Sequence, residues 1–234
     1  MLYLIGLGLN EEGYSWEAYN AIERAEKVYI ENYTVDFPYE TSFLEKQFKK
    51  KLIPAGRDLI EQFKILDDAK KNDVVILVYG SPLTATTHIS LIQEAKKRKI
   101  KTKVLYNASV FDAVAEAGLQ LYKFGKIASM PNFSADSYLN VVKDNLKIKA
   151  HSLILVDIGL KFEDALEKLE KDAGNKKINL DKILVCERLG LNDSHIYYNT
   201  IEKLKSKKIK APFCIIIPSE LHFMEKEVLE NFKY

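Results

Sequence analysis

The stretch Val74-Val-Ile-Leu-Val-Tyr-Gly-Ser-Pro-Leu-Thr-Ala-Thr-Thr-His88 joins an unbroken apolar run to a loop of small and hydroxylated residues. An apolar run without alternation is typical of a central parallel strand that is covered on both faces. The run ends where Pro82 forbids further strand pairing and Gly80 permits a sharp turn. The stretch therefore predicts a buried strand with a polar loop at its carboxyl end.

Along the whole chain, short aliphatic runs alternate with amphipathic stretches. This alternation predicts βαβ units and mainly parallel sheets. Ser15 predicts the start of one helix, capping-box spacings that begin at Ser42 and Asp58 predict two more, and a further helix is predicted over 86–98. The predicted strands are Leu2–Leu7, Lys27–Glu31, Val74–Tyr79, Lys103–Tyr106, Ser152–Val156, Lys182–Cys186 and Cys214–Ile217.

The composition is that of a folded protein with nearly balanced charge. Hydrophobic residues make up 47% and charged residues 29% of the 234 residues, which suffices for a sizeable core. Lys and Arg total 35 against 33 Asp and Glu, and the net charge of +2 argues against direct nucleic-acid binding as the main function. Cys186 and Cys214 lack partners at ligand spacing, which excludes a zinc ribbon and a disulfide framework.

The sequence shows neither a membrane-spanning segment nor a secretory signal. No apolar run approaches the roughly 20 residues that a membrane-spanning helix needs. The apolar start of the chain lacks the basic region and cleavage site of a secretory signal. We therefore expect a cytoplasmic protein without a membrane partner.

Three loops that follow predicted strands are rich in Gly, Ser, Thr and Asn: Gly6–Leu9, Gly80–His88 and Asn107–Val110. Glu11 stands where a dinucleotide-binding fingerprint requires its third glycine, which disfavours nicotinamide or flavin cofactors. Open α/β sheets bind ligands at the carboxyl ends of their strands. The three loops together therefore predict a site for a polar small molecule, although Ser and Thr at such places also cap helices.

These loops carry a resemblance to the diphthine synthase branch of the tetrapyrrole-methylase-type family, whose members are S-adenosylmethionine-dependent methyltransferases. Gly80–His88 resembles the Gly-Asp-Pro-Leu-x-Ala-Thr-Thr-His loop of this branch, and Gly118–Lys126 resembles its Gly-Leu-x-x-Tyr-Lys-Phe-Gly-Lys segment. Leu2–Leu9 is similar to the opening of these enzymes, and Asn107–Val110 loosely matches their third loop. Weaker similarity over 155–158, 188–190 and 212–218 extends the resemblance to nearly the whole chain.

The resemblance implies two α/β domains of the tetrapyrrole methylase type, here residues 1–110 and 111–234, with a cofactor cleft between them and assembly into a homodimer. It implies methylation of the amino group of 3-amino-3-carboxypropyl-histidine on translation elongation factor two, which yields diphthine in diphthamide biosynthesis. Cofactor contacts, several of them through backbone atoms, are implied at Leu9, Ser81, Thr84, Ser109, Val110, Val156, Leu189 and Phe213.

Two departures from the family pattern matter. Ser81 replaces an Asp, and exchanging a charged hydrogen-bond acceptor for a neutral one predicts cofactor binding that is about ten- to thirtyfold weaker. Gly159–Glu170 replaces a Met-Thr stretch after Asp157, which affects substrate docking. The alternatives are a corrinoid or porphyrin methyltransferase of the same fold and a catalytically degenerate binding protein.

Transfer of an already activated methyl group requires alignment and an unprotonated amine, so no dedicated base or metal is expected. Candidate cations for the substrate carboxylate are Arg57, Lys123 and Arg188, each of which is otherwise a surface charge. Candidate rings for a quaternary ammonium are Tyr122 and Phe124, each of which is otherwise core packing.

The histidines and one aspartate complete the set of candidates. His88 is either a base or a histidine at a helix end or in the core. Asp157 either faces the expected site or caps the turn that follows it. His151, His195 and His222 show no partner in the sequence pattern.

Overall fold

The computed structural model describes residues 1–233 and divides the chain into two compact units, of which the first covers Met1–Asp112 and the second begins at Ala113. Each unit contains one five-stranded sheet with accompanying helices, which confirms the α/β class. The division at residue 112 falls beside the predicted domain boundary after residue 110.

The first unit holds a sheet in the order β3-β2-β4-β1-β5. Every pairing in it is parallel, as predicted. Its elements are β1 (Leu2–Gly6), α1 (Trp16–Arg24), β2 (Lys27–Glu31), α2 (Thr41–Phe48), β3 (Ile53–Ala55), α3 (Arg57–Glu61), α4 (Ile65–Ala69), β4 (Val74–Val78), α5 (Ile89–Lys97) and β5 (Thr102–Leu105); α6 (Val110–Ala113) spans the division between the units.

Strand β4 lies at the centre of this sheet, and all of its residues are buried. Val74, Ile76 and Val78 belong to one hydrophobic core, whereas Val75 and Leu77 belong to a second core on the opposite face. Alternate residues of a strand point to opposite faces. The run lacks alternation because both faces are covered.

The second unit holds a sheet in the order β6-β7-β10-β8-β9. Only the β6–β7 pairing is parallel, so the prediction of mainly parallel sheets is wrong here. Its elements are β6 (Ala128–Met130), α7 (Tyr138–Lys147), β7 (Ser152–Val156), α8 (Phe162–Lys176), β8 (Ile183–Glu187), β9 (His195–Asn199), α9 (Ile201–Leu204), β10 (Phe213–Ile217) and α10 (Phe223–Glu230). Burial makes a strand apolar whichever way it runs, so the apolar runs did not reveal its direction.

Several helix starts differ from the prediction. Ser15 caps α1 as expected, because its hydroxyl accepts a hydrogen bond from the backbone N–H of Ala18 at 3.1 Å. The capping box predicted at Ser42 is wrong, since α2 begins at Thr41 and Glu45 accepts from the N–H of Leu52 instead. Helix α3 begins before Asp58, and α5 begins only at Ile89, after a series of bends. None of the helices in residues 1–233 has the length and apolar character to cross a membrane.

Candidate functional site

Two glycine loops of the first unit are joined by their backbones. The N–H of Gly8 donates to the carbonyl of Gly80 at 3.2 Å, and the N–H of Gly80 donates to the carbonyl of Gly8 at 2.8 Å. Gly8 follows β1 and Gly80 follows β4, which are parallel neighbours in the sheet. Because parallel strands end at the same edge of a sheet, the loops that follow β1 and β4 lie side by side there and contact each other.

This close approach requires glycine. Gly8 and Gly80 have φ angles of 74° and 71°, in the left-handed region that side chains disfavour. A Cβ atom on Gly6 would lie 2.5 Å from the carbonyl oxygen of Gly80, a distance that the backbone cannot accommodate without moving. The glycines therefore set the spacing between the two loops.

Asn107 fastens the third loop, which follows β5, to the first. Its side-chain amide donates to the carbonyl of Gly6 at 3.1 Å and to the carbonyl of Gly13 at 2.8 Å. The sequence pattern predicts Asn107 in a ligand loop but does not reveal that its side chain joins two loops. Its position directly after a strand was the available signal.

All five predicted first-unit residues lie in or next to this joined region. Leu9 and Ser81 are buried and Thr84 is half-buried. The hydroxyls of Ser81 and Thr84 make no hydrogen bond within residues 1–233, so both groups are available. The carbonyl of Leu9 accepts a hydrogen bond from the hydroxyl of Tyr79 at 2.9 Å, which holds the first loop against the end of β4. Val110 begins α6.

Ser109 uses its side chain locally. The hydroxyl donates to Oδ2 of Asp112 at 3.0 Å and accepts from the N–H of Phe111 at 3.2 Å. These bonds are those of a helix N-terminus, so the capping alternative describes the Ser109 side chain. The backbone N–H of Ser109 also donates to Oδ2 of Asp112 at 2.7 Å, so a ligand contact is left to the Ser109 carbonyl oxygen, which accepts from the N–H of Asp112 at 3.0 Å and has a second lone pair.

The predicted second-unit residues also come together, at one edge of their own sheet. Val156 ends β7, Leu189 follows β8 and Phe213 begins β10. The antiparallel register places Phe213 opposite Glu187 and Cys214 opposite Leu155. The ends of β7 and β8 therefore flank the start of β10.

Asp157 caps the turn that follows β7. Its Oδ1 atom accepts from the N–H of Ile158 at 3.1 Å, and its Oδ2 atom accepts from the N–H of Asn132 at 3.4 Å.

Of the two candidate rings, Tyr122 is exposed, and Phe124 packs edge-on against His151 with the ring centroids 5.5 Å apart.

All three candidate cations pair with carboxylates, and two of the pairs are short. Nζ of Lys123 lies 2.6 Å from Oε2 of Glu225, and Nε of Arg188 lies 2.9 Å from Oδ1 of Asp193. Arg57 has a longer ion pair, 3.6 Å from Glu61, and its side chain is 64% exposed.

The histidines have more partners than their sequence pattern showed. His151 is completely buried, with Nε2 located 3.2 Å from Oε1 of Glu225, while Nδ1 accepts from the N–H of Ser219 at 2.9 Å. His222 forms a capping box with Glu225 at the start of α10, and Nδ1 of His195 lies 3.0 Å from the carbonyl oxygen of Asp193. The expectation that these histidines stand alone is therefore wrong.

Comparisons with known proteins cover the whole chain. The family described as Tetrapyrrole (Corrin/Porphyrin) Methylases matches residues 1–205. The chain is 34% identical over 249 residues to a diphthine synthase of Methanococcus maripaludis, with 98% of each chain covered. It is 34% identical over 269 residues to a diphthine methyl ester synthase of Dictyostelium discoideum, with 100% of this chain and 98% of the other covered. A crystal structure of diphthine synthase superposes with a TM-score of 0.92 at 30% identity, over 99% of this chain and 95% of the other.

Proposed function

The chain belongs to the tetrapyrrole (corrin/porphyrin) methylase family, and on this premise we propose that it is an S-adenosylmethionine-dependent N-methyltransferase of diphthamide biosynthesis. Its substrate is the 3-amino-3-carboxypropyl-histidine of translation elongation factor two, and its product is diphthine. The observation that carries the proposal is identity of about one third to a diphthine synthase over 98% of both chains. This full-length similarity disfavours a corrinoid or porphyrin substrate.

The joined loops of the first unit fit the proposed cofactor in their chemistry. S-adenosylmethionine offers a purine, ribose hydroxyls and an amino-acid group, which call for apolar surface and for hydrogen-bond donors and acceptors. Buried Leu9 supplies apolar surface, and the unengaged hydroxyls of Ser81 and Thr84 supply hydrogen-bonding groups. Gly8 and Gly80 hold the two loops together through their own backbone N–H and carbonyl groups.

We assign cofactor contacts within the first unit to Leu9, Ser81, Thr84, Ser109 and Val110. Ser109 contributes through its backbone carbonyl, because its hydroxyl and its N–H are both bonded to Asp112. In the second unit the proposed contacts are Val156, Leu189 and Phe213, which share one edge of their sheet. All eight assignments rest on the family resemblance together with these positions at strand ends.

The bound cofactor supplies an activated methyl group, so the chain needs to provide alignment rather than bond activation. The link between Gly8 and Gly80 and the tether from Asn107 fix three loops relative to one another before a ligand arrives. Such fixed loops hold a reacting group in line at a small entropic cost. An α-amino group has a reference pKa of about 8, so part of the substrate amine is unprotonated near neutral pH.

We further propose that the enzyme is cytoplasmic and acts as a homodimer, with elongation factor two as its protein partner. These assignments follow from the family resemblance. Light scattering of the purified chain tests the dimer, and a monomeric mass across the micromolar range would overturn it.

Calorimetric titration with S-adenosylmethionine and S-adenosylhomocysteine tests the proposed cofactor. We expect one site per chain with a dissociation constant near micromolar, or about −8 kcal/mol. Mass spectrometry of elongation factor two that carries the 3-amino-3-carboxypropyl group should then show added methyl groups. Failure to bind either ligand would refute the methyltransferase. Binding without methylation would instead favour the degenerate binding protein.

A further inference from the structure

A second group of polar side chains lies at the carboxyl edge of the first-unit sheet, beside the cofactor loops. Arg57 follows β3, Tyr33 follows β2, and His88 ends the long loop after β4. The order β3-β2-β4 makes these three strands consecutive neighbours. Because all three run parallel, the residues that follow them collect at the same edge.

The side chains of this group contact one another in a row. The guanidinium carbon of Arg57 lies 5.2 Å from the ring centroid of Tyr33, a cation–π distance. The rings of Tyr33 and His88 meet edge-on, with centroids 6.4 Å apart and planes at 84°. We call these three residues the Arg57–Tyr33–His88 cluster.

The hydrogen bonding of His88 fixes its tautomer. Nδ1 lies 2.9 Å from the carbonyl oxygen of Pro82, and because a carbonyl only accepts, Nδ1 carries the proton. In the neutral ring Nε2 then holds a lone pair and accepts hydrogen bonds. Nε2 is buried, and no residue in 1–233 donates to it. A buried acceptor without a partner is destabilising by about 1–3 kcal/mol, so it calls for a compensating role.

The hydroxyl of Tyr33 is a second buried group without a hydrogen-bond partner in the described chain. Burial raises the pKa of Tyr33, the Thr87 and Arg57 side chains oppose this effect, and the carboxylates of Glu31 and Glu61 add to it. The hydroxyl therefore keeps its proton at neutral pH and can donate it. An unused donor and an unused acceptor lie on adjacent rings.

A buried carboxylate holds Tyr33 in place. Glu31 is completely buried, and its Oε1 atom accepts from the N–H of Tyr33 at 2.7 Å and from the N–H of Thr34 at 2.8 Å. Its Oε2 atom accepts from the hydroxyl of Thr34 at 2.6 Å. The turn that presents Tyr33 is therefore anchored by three hydrogen bonds to one charge.

Arg57 is the candidate cation that is least engaged. Its ion pair with Glu61 is 3.6 Å long, whereas Lys123 and Arg188 are paired at 2.6 Å and 2.9 Å. Glu61 also accepts a long hydrogen bond of 3.4 Å from Thr87, which links α3 to the loop before His88. Arg57 can turn toward an incoming carboxylate at little cost.

We propose that the Arg57–Tyr33–His88 cluster binds the amino-acid end of the methyl-accepting substrate, an inference that rests on the proposed function. Arg57 and the Tyr33 hydroxyl bind the carboxylate, and Nε2 of His88 accepts a proton from the ammonium group. In this step one N–H bond of the substrate breaks, the proton moves to Nε2, and the electron pair stays on the substrate nitrogen. The amine is then competent to accept a methyl group.

Both unpartnered atoms are buried, so a substrate reaches them only when neighbouring loops move. The connection between β4 and α5 consists of turns and bends, and within it Ala85 is exposed with a φ angle of 54°. Hydrogen exchange over 81–88 is therefore expected to change when substrate binds.

Three variants test the cluster. His88→Asn keeps a donor for the Pro82 carbonyl and removes Nε2, Arg57→Gln removes the cation, and Tyr33→Phe removes the hydroxyl. We expect Arg57→Gln to raise KM for the modified elongation factor about 10- to 100-fold at unchanged kcat. We expect His88→Asn to lower kcat about tenfold near pH 7 with little change in KM, because about a tenth of an amine with a pKa of about 8 is already unprotonated there. Tyr33→Phe should raise KM by a smaller factor.

Matched controls are Arg24→Gln, which removes an exposed arginine at the end of α1, and Tyr39→Phe, which removes another buried hydroxyl without a partner. Both should retain wild-type kinetics. Calorimetry with S-adenosylhomocysteine and thermal unfolding should give wild-type values for all folded variants. His88→Gln is the second variant if His88→Asn does not fold.

The outcomes separate the two proposals. Suppose that wild type methylates the factor and that Arg57→Gln and His88→Asn have the same kcat and KM as wild type. The proposed role of the cluster is then refuted, and the Tyr33 hydroxyl and Nε2 of His88 bind no substrate. If wild type binds S-adenosylhomocysteine but does not bind or methylate the factor, the proposed function and the cluster both fall. Loss of S-adenosylhomocysteine binding in folded His88→Asn would also overturn the assignment, because the residue would then serve the cofactor.

Discussion

Nζ of Lys123 lies 2.6 Å from Oε2 of Glu225, and the carboxylate of this ion pair is completely buried. The backbone N–H groups of Gln120 and His222 donate to the same carboxylate at 3.0 Å and 2.7 Å. Burial by itself raises the pKa of a carboxyl group, but these donors outweigh it and hold the pKa of Glu225 at about 2, below the usual 4.5. The pair ties the segment around Lys123 to the start of α10.

Acid is expected to destabilise the protein through Glu225. Because the folded-state pKa is about 2 against 4.5 in the unfolded chain, the ionised carboxylate stabilises the fold fully above pH 4.5. That contribution is lost as the pH falls from 4.5 toward 2. Burial also lowers the pKa of His151 below 6.5, so the unfolded chain takes up that proton first and the fold weakens below pH 6.5. Urea unfolding at a series of pH values measures both effects.

Glu225→Gln isolates the carboxylate. We expect it to lower the free energy of unfolding at neutral pH by about 3 kcal/mol, since it breaks a buried ion pair. It should also flatten the acid-dependent loss of stability between about pH 4.5 and 2. Glu220→Gln is the control, because Glu220 pairs with Lys149 on the surface. An equally steep acid dependence in Glu225→Gln and wild type would contradict the assignment.

Gly6→Ala should damage the joined loops. The added Cβ would lie 2.5 Å from the carbonyl oxygen of Gly80, so the backbone has to shift at an expected loss of stability of about 1–3 kcal/mol. Calorimetry should also show weaker binding of S-adenosylhomocysteine. Gly56→Ala is the matched control, since a Cβ there meets no atom within 4 Å. Equal stability and affinity in the two variants would show that the spacing of the loops does not matter.

Asn107→Ala should loosen the third loop. The substitution leaves the carbonyls of Gly6 and Gly13 without their side-chain donor, and we expect a loss of about 1–3 kcal/mol in the free energy of unfolding. Affinity for S-adenosylhomocysteine should fall as well. Asn140→Ala, at an exposed position of α7, serves as control. Wild-type affinity in Asn107→Ala would argue against a cofactor site at these loops.

Ser81→Asp should strengthen cofactor binding. The Ser81 hydroxyl has no hydrogen-bond partner within residues 1–233, and a carboxylate accepts more strongly from the hydroxyl and amine groups of the cofactor. We expect the dissociation constant for S-adenosylmethionine to fall about tenfold. Ser137→Asp, at an exposed site before α7, controls for the added charge. Unchanged or weaker binding in Ser81→Asp would place position 81 outside the cofactor contacts.

Most strands of the first sheet could be predicted from the sequence, because a strand that is buried on both faces is an unbroken run of apolar residues. The strand predicted over Lys27–Glu31 has the observed bounds, and the run after Val74 lies at the centre of the sheet. Short or polar strands were not predicted, because they lack such an apolar run. Strand β9, with the sequence His-Ile-Tyr-Tyr-Asn, is only partly buried, and β6 has three residues.

The candidate site could be predicted only as far as its loops. Strand ends and small residues identified the loops, but the hydrogen bonds that join them connect distant positions, such as Asn107 with Gly13. The role of Ser109 was open in the sequence, because one hydroxyl suits both a helix cap and a ligand. Tyr33 escaped notice altogether, since its significance depends on the ring of His88 beside it.

The link between Gly8 and Gly80 consists of peptide groups alone. Outside the required glycines and the Asn107 tether, this loop geometry does not depend on the side chains that the loops carry, so Ser81 can be exchanged while the backbone keeps its shape. Substitutions at such positions then change the affinity for the ligand in small steps, while the backbone of the binding loops stays the same.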